Sequence, residues 1–171
     1  MGDVNPSEII NRVDLFTSLS AAERARVADA CARRVYQPGE VICREGDHGT
    51  TAYVVGSGEV EVEAGTPPVR VARMGSGTYF GEMSLLTGMP RTATVRARTL
   101  CEILELGRPV FMRLFATNVA LAESISQTIA ARNYERTTML ERRPVTAEAV
   151  PPPESTPHAD LFARIRKVFG L

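Results

Sequence analysis

Lysine is nearly missing from this 171-residue chain. Lys167 is the only one among 20 basic residues, and 20 acidic residues bring the formal net charge to +0. Without an excess of positive charge, no long-range field draws the chain to nucleic acid or to an anionic bilayer, so any basic attraction has to be local. Histidine is scarce as well. His48, in a turn, and His158, near the C-terminal end, are too few and too scattered for the clustered imidazoles and carboxylates of a metal-dependent enzyme. Ser84 has Glu82 nearby, but no histidine or lysine close to it in sequence could activate it as a nucleophile. Catalysis and a metal cofactor are therefore not expected. The three cysteines, Cys31, Cys43 and Cys101, form no C-x-x-C pair and sit in apolar or strand-like stretches, as structural thiols do. Their odd number, and a start that lacks a basic region followed by an apolar one, lead us to expect a cytoplasmic location. No apolar run reaches the length of about 18 residues that a membrane helix needs.

A chain of this length holds one domain with a real core plus extensions. Asn5, Pro6 and Glu8 mark the start of a short helix reaching about Val13, and Ser20 with Glu23 forms a capping box for a second helix to about Ala32. Residues 1–33 thus form an N-terminal helical segment. From 34 to 107, glycines and prolines punctuate short β-type runs. Val60 and Val62 alternate with Glu59, Glu61 and Glu63, while Ala93, Val95 and Ala97 alternate with Thr94, Arg96 and Arg98. That pattern predicts an antiparallel sandwich or barrel. Residues 108–142 read as helix, with Phe111, Leu114, Phe115, Leu121, Ile125 and Ile129 at helical spacings. A break near Thr117 and Asn118 would divide it in two; without one, the same apolar stripe is simply core. Residues 143–157 are rich in proline and acids and read as an extended linker. Residues 158–171 read as a short basic amphipathic helix, with Leu161, Ile165 and Val168 on one face among Arg164, Arg166 and Lys167. Such a segment is expected either to lie on anionic lipid or on a partner or to be a frayed tail, and on the former reading to be dispensable for any ligand affinity.

Residues 80–95, FGEMSLLTGMPRTATV, gather a glycine turn, a carboxylate, a short apolar helix and an arginine. Gly81 lets the backbone turn closely under a ligand, and residues 82–86 form one helical turn with free N–H groups. Glu82 beside an anion site is poorly explained by phosphate alone, but it suits neutral hydroxyls such as those of a ribose. Arg91 supplies a planar countercharge, stiffened by Pro90 and followed by further donors at Thr92 and Ala93. These residues point to a receptor for a phosphorylated sugar.

At Phe80, Gly81, Glu82, Ser84, Leu85, Leu86, Pro90, Arg91, Thr92 and Ala93 the chain resembles the phosphate-binding cassette of the cyclic nucleotide-binding domain family. The resemblance extends over roughly 15–140, including the turns at Gly39 and Gly46 and the hairpin at Gly58. It implies a mainly β fold with flanking helices, an antiparallel β jelly roll with N-terminal helices and a C-terminal pair of hinge and lid helices. It also implies a cassette at 80–93 whose ligand-binding residues are Phe80, Gly81, Glu82, Met83, Ser84, Arg91, Thr92 and Ala93. Glu82 would take the ribose 2'-hydroxyl and Arg91 the cyclic phosphate. In the family a hinge separates the last two helices, so Ile125 or Ile129 is expected near the base as a lid. The expected ligand is cyclic AMP, with cyclic GMP left open by the hydroxyl of Thr92.

Beyond the helices the chain has no room for a DNA-reading head, and neutral charge argues the same way. The cassette occurs once, where a kinase regulatory subunit would resemble two in tandem. The expected role is a sensor whose effector lies elsewhere, in another protein or in a larger chain such as an ion channel. The order of domain, proline-rich stretch and basic end helix is similar to the cytoplasmic end of bacterial cyclic-nucleotide-regulated channels, including those with a mechanosensitive-channel core. The alternative is a protein-interaction module with a degenerate nucleotide site. The sequence leaves self-association and membrane-surface contact by 158–171 open.

Overall fold

The caps that punctuate the sequence set the first two helices. In the computed structural model, which describes residues 5–141 and 158–171, the Asn5 side chain accepts a hydrogen bond from the Ser7 N–H at 3.0 Å and starts helix α1, Pro6–Ile10. This helix stops short of the expected Val13. A separate 3₁₀ turn, Asp14–Phe16, follows and buries Leu15 and Phe16, with Val13 buried at its N-cap. Helix α2, Ala21–Asp29, opens on the complete capping box: the Glu23 N–H donates to Ser20 Oγ at 3.3 Å, and the Ser20 N–H donates to Glu23 Oε2 at 2.8 Å. The Ser20 hydroxyl, which donates to the same Oε2 at 2.7 Å, and then the Ser20 N–H hold the Glu23 carboxyl below the usual range. The helix ends three residues before the expected Ala32, because Ala32 already pairs with Glu105 as the first residue of strand β1, Ala32–Tyr36.

Among the described residues, eight strands follow the antiparallel pattern read from the sequence. Besides β1 they are β2 Val41–Cys43, β3 Thr51–Ser57, β4 Glu59–Ala64, β5 Val69–Gly75, β6 Tyr79–Phe80, β7 Thr94–Ala97 and β8 Cys101–Gly107. They form two four-stranded sheets, in the orders β1-β8-β3-β6 and β2-β7-β4-β5. This is the jelly roll, and its facing sides enclose Val55, Val60, Val62, Val95, Ala97 and Ile103. Val60 and Val62 are buried while Glu59 is exposed, as their alternation requires. Ion pairs tie β1 to β8, through Arg33 with Glu102 and through Arg34 with Glu105 at 3.1 Å.

A second apolar cluster lies outside the sheets. Helix α3, Glu82–Thr87, contributes Leu85 and Leu86, and helix α4, Arg108–Thr117, contributes Phe111, Leu114 and Phe115. The chain breaks at Asn118, whose backbone is extended, and resumes as helix α5, Val119–Glu141. Thr117 Oγ1 donates back to the Leu114 carbonyl at 2.9 Å and marks that break.

The end of the chain corrects an expectation. Helix α6, His158–Phe169, does form, but its apolar face is not free for lipid or for a partner. Leu161 and Ile165 are fully buried in the helical cluster with Leu85, Phe115 and Ile129. Burying each contributes about 1.5–3 kcal/mol, more than an exposed ion pair supplies, so the apolar face decides where the helix lies. Arg164, Arg166 and Lys167 remain exposed on its outer side. The stretch read as a linker, 143–157, falls outside the described residues.

Candidate functional site

Strand β6 pairs with β3 and delivers the chain to Gly81, whose φ of +78° is left-handed. A side chain there would be strained by the backbone, and its Cβ would also run into the Arg91 guanidinium. Helix α3 then starts at Glu82 and closes at Gly88, at φ +72°. The return segment brings Arg91 back beneath the turn it left.

Backbone bonds fix Arg91 before its side chain does anything. Its N–H donates to the Asp47 carbonyl at 2.7 Å, and its carbonyl accepts from the Gly46 N–H at 2.9 Å. The guanidinium then donates through Nη1 to the Gly81 carbonyl at 2.6 Å and through Nη2 to the Thr51 carbonyl at 2.8 Å. Its Cζ lies 5.4 Å from the centroid of the Tyr53 ring. Tyr53 in turn stacks on Phe80, with centroids 5.0 Å apart and planes 18° from parallel. A Cβ at Gly49 would also collide with the guanidinium, so two glycines and an aromatic pair form the cradle for one cation.

Ser84 pins the cassette to the 45–49 turn. Its hydroxyl accepts from the Gly49 N–H at 3.0 Å and donates to the Gly49 carbonyl at 3.1 Å. Glu82 is 7% exposed, and among the described residues its carboxylate has neither a hydrogen bond nor an ion-pair partner. Arg91 is equally buried, and among the described residues no carboxylate lies within ion-pairing distance of it. The site thus holds a buried cation bonded only to neutral carbonyls, and a buried carboxylate that can accept from neutral donors. Such groups are costly unless an outside ligand answers them, here an anion for Arg91 and hydroxyls for Glu82.

Neighbouring groups register the same charges. Burial pushes the Cys43 thiol up, while Arg91 pulls it down and Glu82 adds a smaller rise. Burial likewise raises the Tyr53 phenol against the opposing influence of Arg91.

The cassette brings Phe80, Gly81, Glu82, Ser84 and Arg91 together, with Thr92 and Ala93 half-buried beside them and Ala93 packed on the jelly-roll cluster. The Met83 side chain packs instead against the helical cluster. Ile125 and Ile129 are both fully buried. They lie in the helical cluster, and among the described residues α5 packs mainly on the 3₁₀ turn, α4 and α6. The sequence reading missed Gly49, the Thr51 carbonyl and Tyr53, which come from a turn and a strand some way upstream. The turn glycine at 49 was the only local signal. A separate open groove of about 360 Å³ between the edges of β1 and β2 is lined by Arg34, Tyr36 and Arg44 and includes none of the cassette.

Known proteins supply the family. The family model for the cyclic nucleotide-binding domain matches residues 33–118, half of the chain and the whole of the cassette. The chain belongs to the cyclic nucleotide-binding domain family. This cyclic nucleotide-binding domain is 42% identical over 107 residues to a cAMP-dependent protein kinase regulatory subunit of Emericella nidulans, covering 61% of the chain and 26% of that protein. It is 34% identical over 125 residues to a cyclic nucleotide-gated potassium channel of Rhizobium etli, covering 73% of the chain and 34% of the channel. Among solved structures it is similar to the regulatory domain of Toxoplasma gondii PKA with cAMP, at 28% identity and a TM-score of 0.66, over 75% of this chain and 48% of that one. The domain spans about a quarter of the length of the kinase regulatory subunits it matches. These matches indicate no enzymatic family, and no described helix is long and apolar enough to cross a membrane.

Proposed function

We propose that this domain is a sensor that binds cyclic AMP, with cyclic GMP as a second ligand through Thr92, and reports its capture through the C-terminal helices. The observation that carries the reading is the buried Arg91 guanidinium, bonded to two neutral carbonyls and to no carboxylate among the described residues. A cyclic phosphate supplies its countercharge, and the ribose 2'-hydroxyl donates to Glu82. The remaining cassette residues, Phe80, Gly81, Met83, Ser84, Thr92 and Ala93, shape the pocket around them. Relatives that are cAMP-dependent regulatory subunits, and a solved relative with cAMP, support cyclic AMP as the first ligand.

Transmission starts from Arg108. Its Nη2 donates to the Leu85 carbonyl at 3.1 Å and its N–H to the Thr50 carbonyl at 3.0 Å, so α4 is tied to the cassette helix and to the residue that leads into β3. A shift of α3 on phosphate capture therefore moves α4, and the break at Asn118 lets α5 swing until Ile125 or Ile129 covers the base. Moving such an equilibrium from 1:99 to 99:1 takes about 5.5 kcal/mol of differential affinity. The effector lies in another part of a larger protein or in a partner, with an ion channel favoured by the order of segments and by the Rhizobium etli relative. Competition binding tests the reading: cyclic AMP displaces a fluorescent cyclic nucleotide, linear AMP does not, and equal displacement by both removes it.

A further inference from the structure

Helix α6 touches the two parts of the molecule that the proposed sensor has to move. It packs along α5, and it packs on α3, the helix of the cassette. Its C-terminal end is anchored away from α5: the Phe169 ring meets Phe115 of α4 edge-on, with centroids 5.0 Å apart, and Val168 lies over Gly88 at the end of α3. Leu161 and Ile165, both with 0% exposure, fill the space between, in one cluster with Leu121, Ile125 and Ile129 of α5.

This arrangement has a sign. The residues of α5 expected to cover the base are the ones buried in the cluster that α6 completes. A swing of α5 over the base would take Ile125 and Ile129 out of their present packing with Leu161 and Ile165, while Phe169 and Val168 tie α6 to α4 and α3. We infer that α6 is an autoinhibitory latch that docks on α3, α4 and α5, holds the lid helix off the nucleotide, and is released when nucleotide binds. The inference rests on the reading of 81–93 as a cyclic-nucleotide site. By linkage, whatever factor α6 docking takes from nucleotide affinity, nucleotide takes from α6 docking. Release would bare the apolar face of Leu161 and Ile165 beside Arg164, Arg166 and Lys167, so the same helix carries both the latch and a surface that appears only in the bound state.

The test uses the full chain. Ile165→Asp puts a carboxylate into a fully apolar site and undocks α6, and it is expected to bind cyclic AMP about tenfold more tightly than wild type, a coupling of ordinary size. In wild type, saturating cyclic AMP is expected to speed amide hydrogen exchange across residues 161–168, and linear AMP is expected to leave it unchanged. If the variant does not fold, the wild-type exchange decides alone. Cyclic AMP that binds but leaves exchange in 161–168 unchanged or slower, with no gain in affinity for the variant, overturns the latch and leaves the site intact. No binding of cyclic AMP to either chain removes the site, and the latch with it.

Discussion

The guanidinium of Arg91 lies over the ring of Tyr53, 5.4 Å from its centroid, although 38 positions of sequence separate the two. Strand β3 supplies the ring, the cassette supplies the cation, and Phe80 stacked behind Tyr53 keeps the ring from turning away. The tyrosine hydroxyl plays no part in this contact. Tyr53→Phe should therefore keep nucleotide affinity, whereas Tyr53→Leu should lose about 1 kcal/mol of it, the scale of a partly buried cation–π contact. Titration of both variants checks this, and equal losses in the two would assign the effect to the hydroxyl.

Gly49 and Gly81 leave room for the same guanidinium by different means. At Gly49 the obstacle to a side chain is collision with Arg91 alone; at Gly81 the left-handed backbone is added to it. Both Gly49→Ala and Gly81→Ala should displace Arg91 and weaken nucleotide binding by at least tenfold, at an overpacking cost of about 1–3 kcal/mol in stability. Gly81→Ala should lose roughly 1–2 kcal/mol more than Gly49→Ala in urea unfolding, because it alone forces a side chain into the left-handed region. Unchanged affinity in Gly49→Ala would contradict the cradle.

On the proposed reading Glu82 should contribute less than Arg91, because a ribose hydroxyl is neutral and the ligand offers Glu82 no opposite charge. Removing it as Glu82→Ala should cost about 1–2 kcal/mol of binding, and wild type should lose a similar amount with a 2'-deoxy analogue. The variant should no longer distinguish the two ligands. A wild type that binds both equally would show that Glu82 serves another group.

Cys31 gives the alkaline limb of stability a measurable part. Its thiol donates to the Val27 carbonyl at 3.2 Å, and burial pushes it up to about 12. The folded chain therefore holds this proton at a pH where the unfolded chain, near 8.5, has released it. The stabilisation is complete below about pH 8 and is lost as pH rises toward 12. Cys31→Ala should lose less stability than wild type between about pH 8 and pH 11, as measured by urea unfolding at each pH. Parallel losses would place the alkaline limb elsewhere, in Cys43 or in the tyrosines.

The cassette was legible because its residues are contiguous: Gly81, Glu82, Ser84 and Arg91 fall within one turn, one helix and one return segment. The strands were legible from alternation, and the break at Asn118 from its capping residues. Tyr53 was not, because a tyrosine in an apolar strand reads as core until the fold sets a cation above it. Helix ends were displaced by tertiary demand, as where Ala32 leaves α2 to pair with Glu105. The end helix was the largest miss. Leu161, Ile165 and Val168 mark an apolar face in any sequence, but the pattern is the same whether the face meets lipid, a partner or the α3, α4 and α5 helices of its own chain. For the same reason the spacing of Ile125 and Ile129 showed a buried face without its partner.

Calorimetric titration of wild type and Arg91→Ala with cyclic AMP tests the central claim most directly. Wild type should bind, and Arg91→Ala should bind about 2–4 kcal/mol more weakly, roughly 30-fold to 1,000-fold, because the phosphate would enter the site without its countercharge. A folded Arg91→Ala that titrates with the affinity of wild type would contradict the assignment of this site.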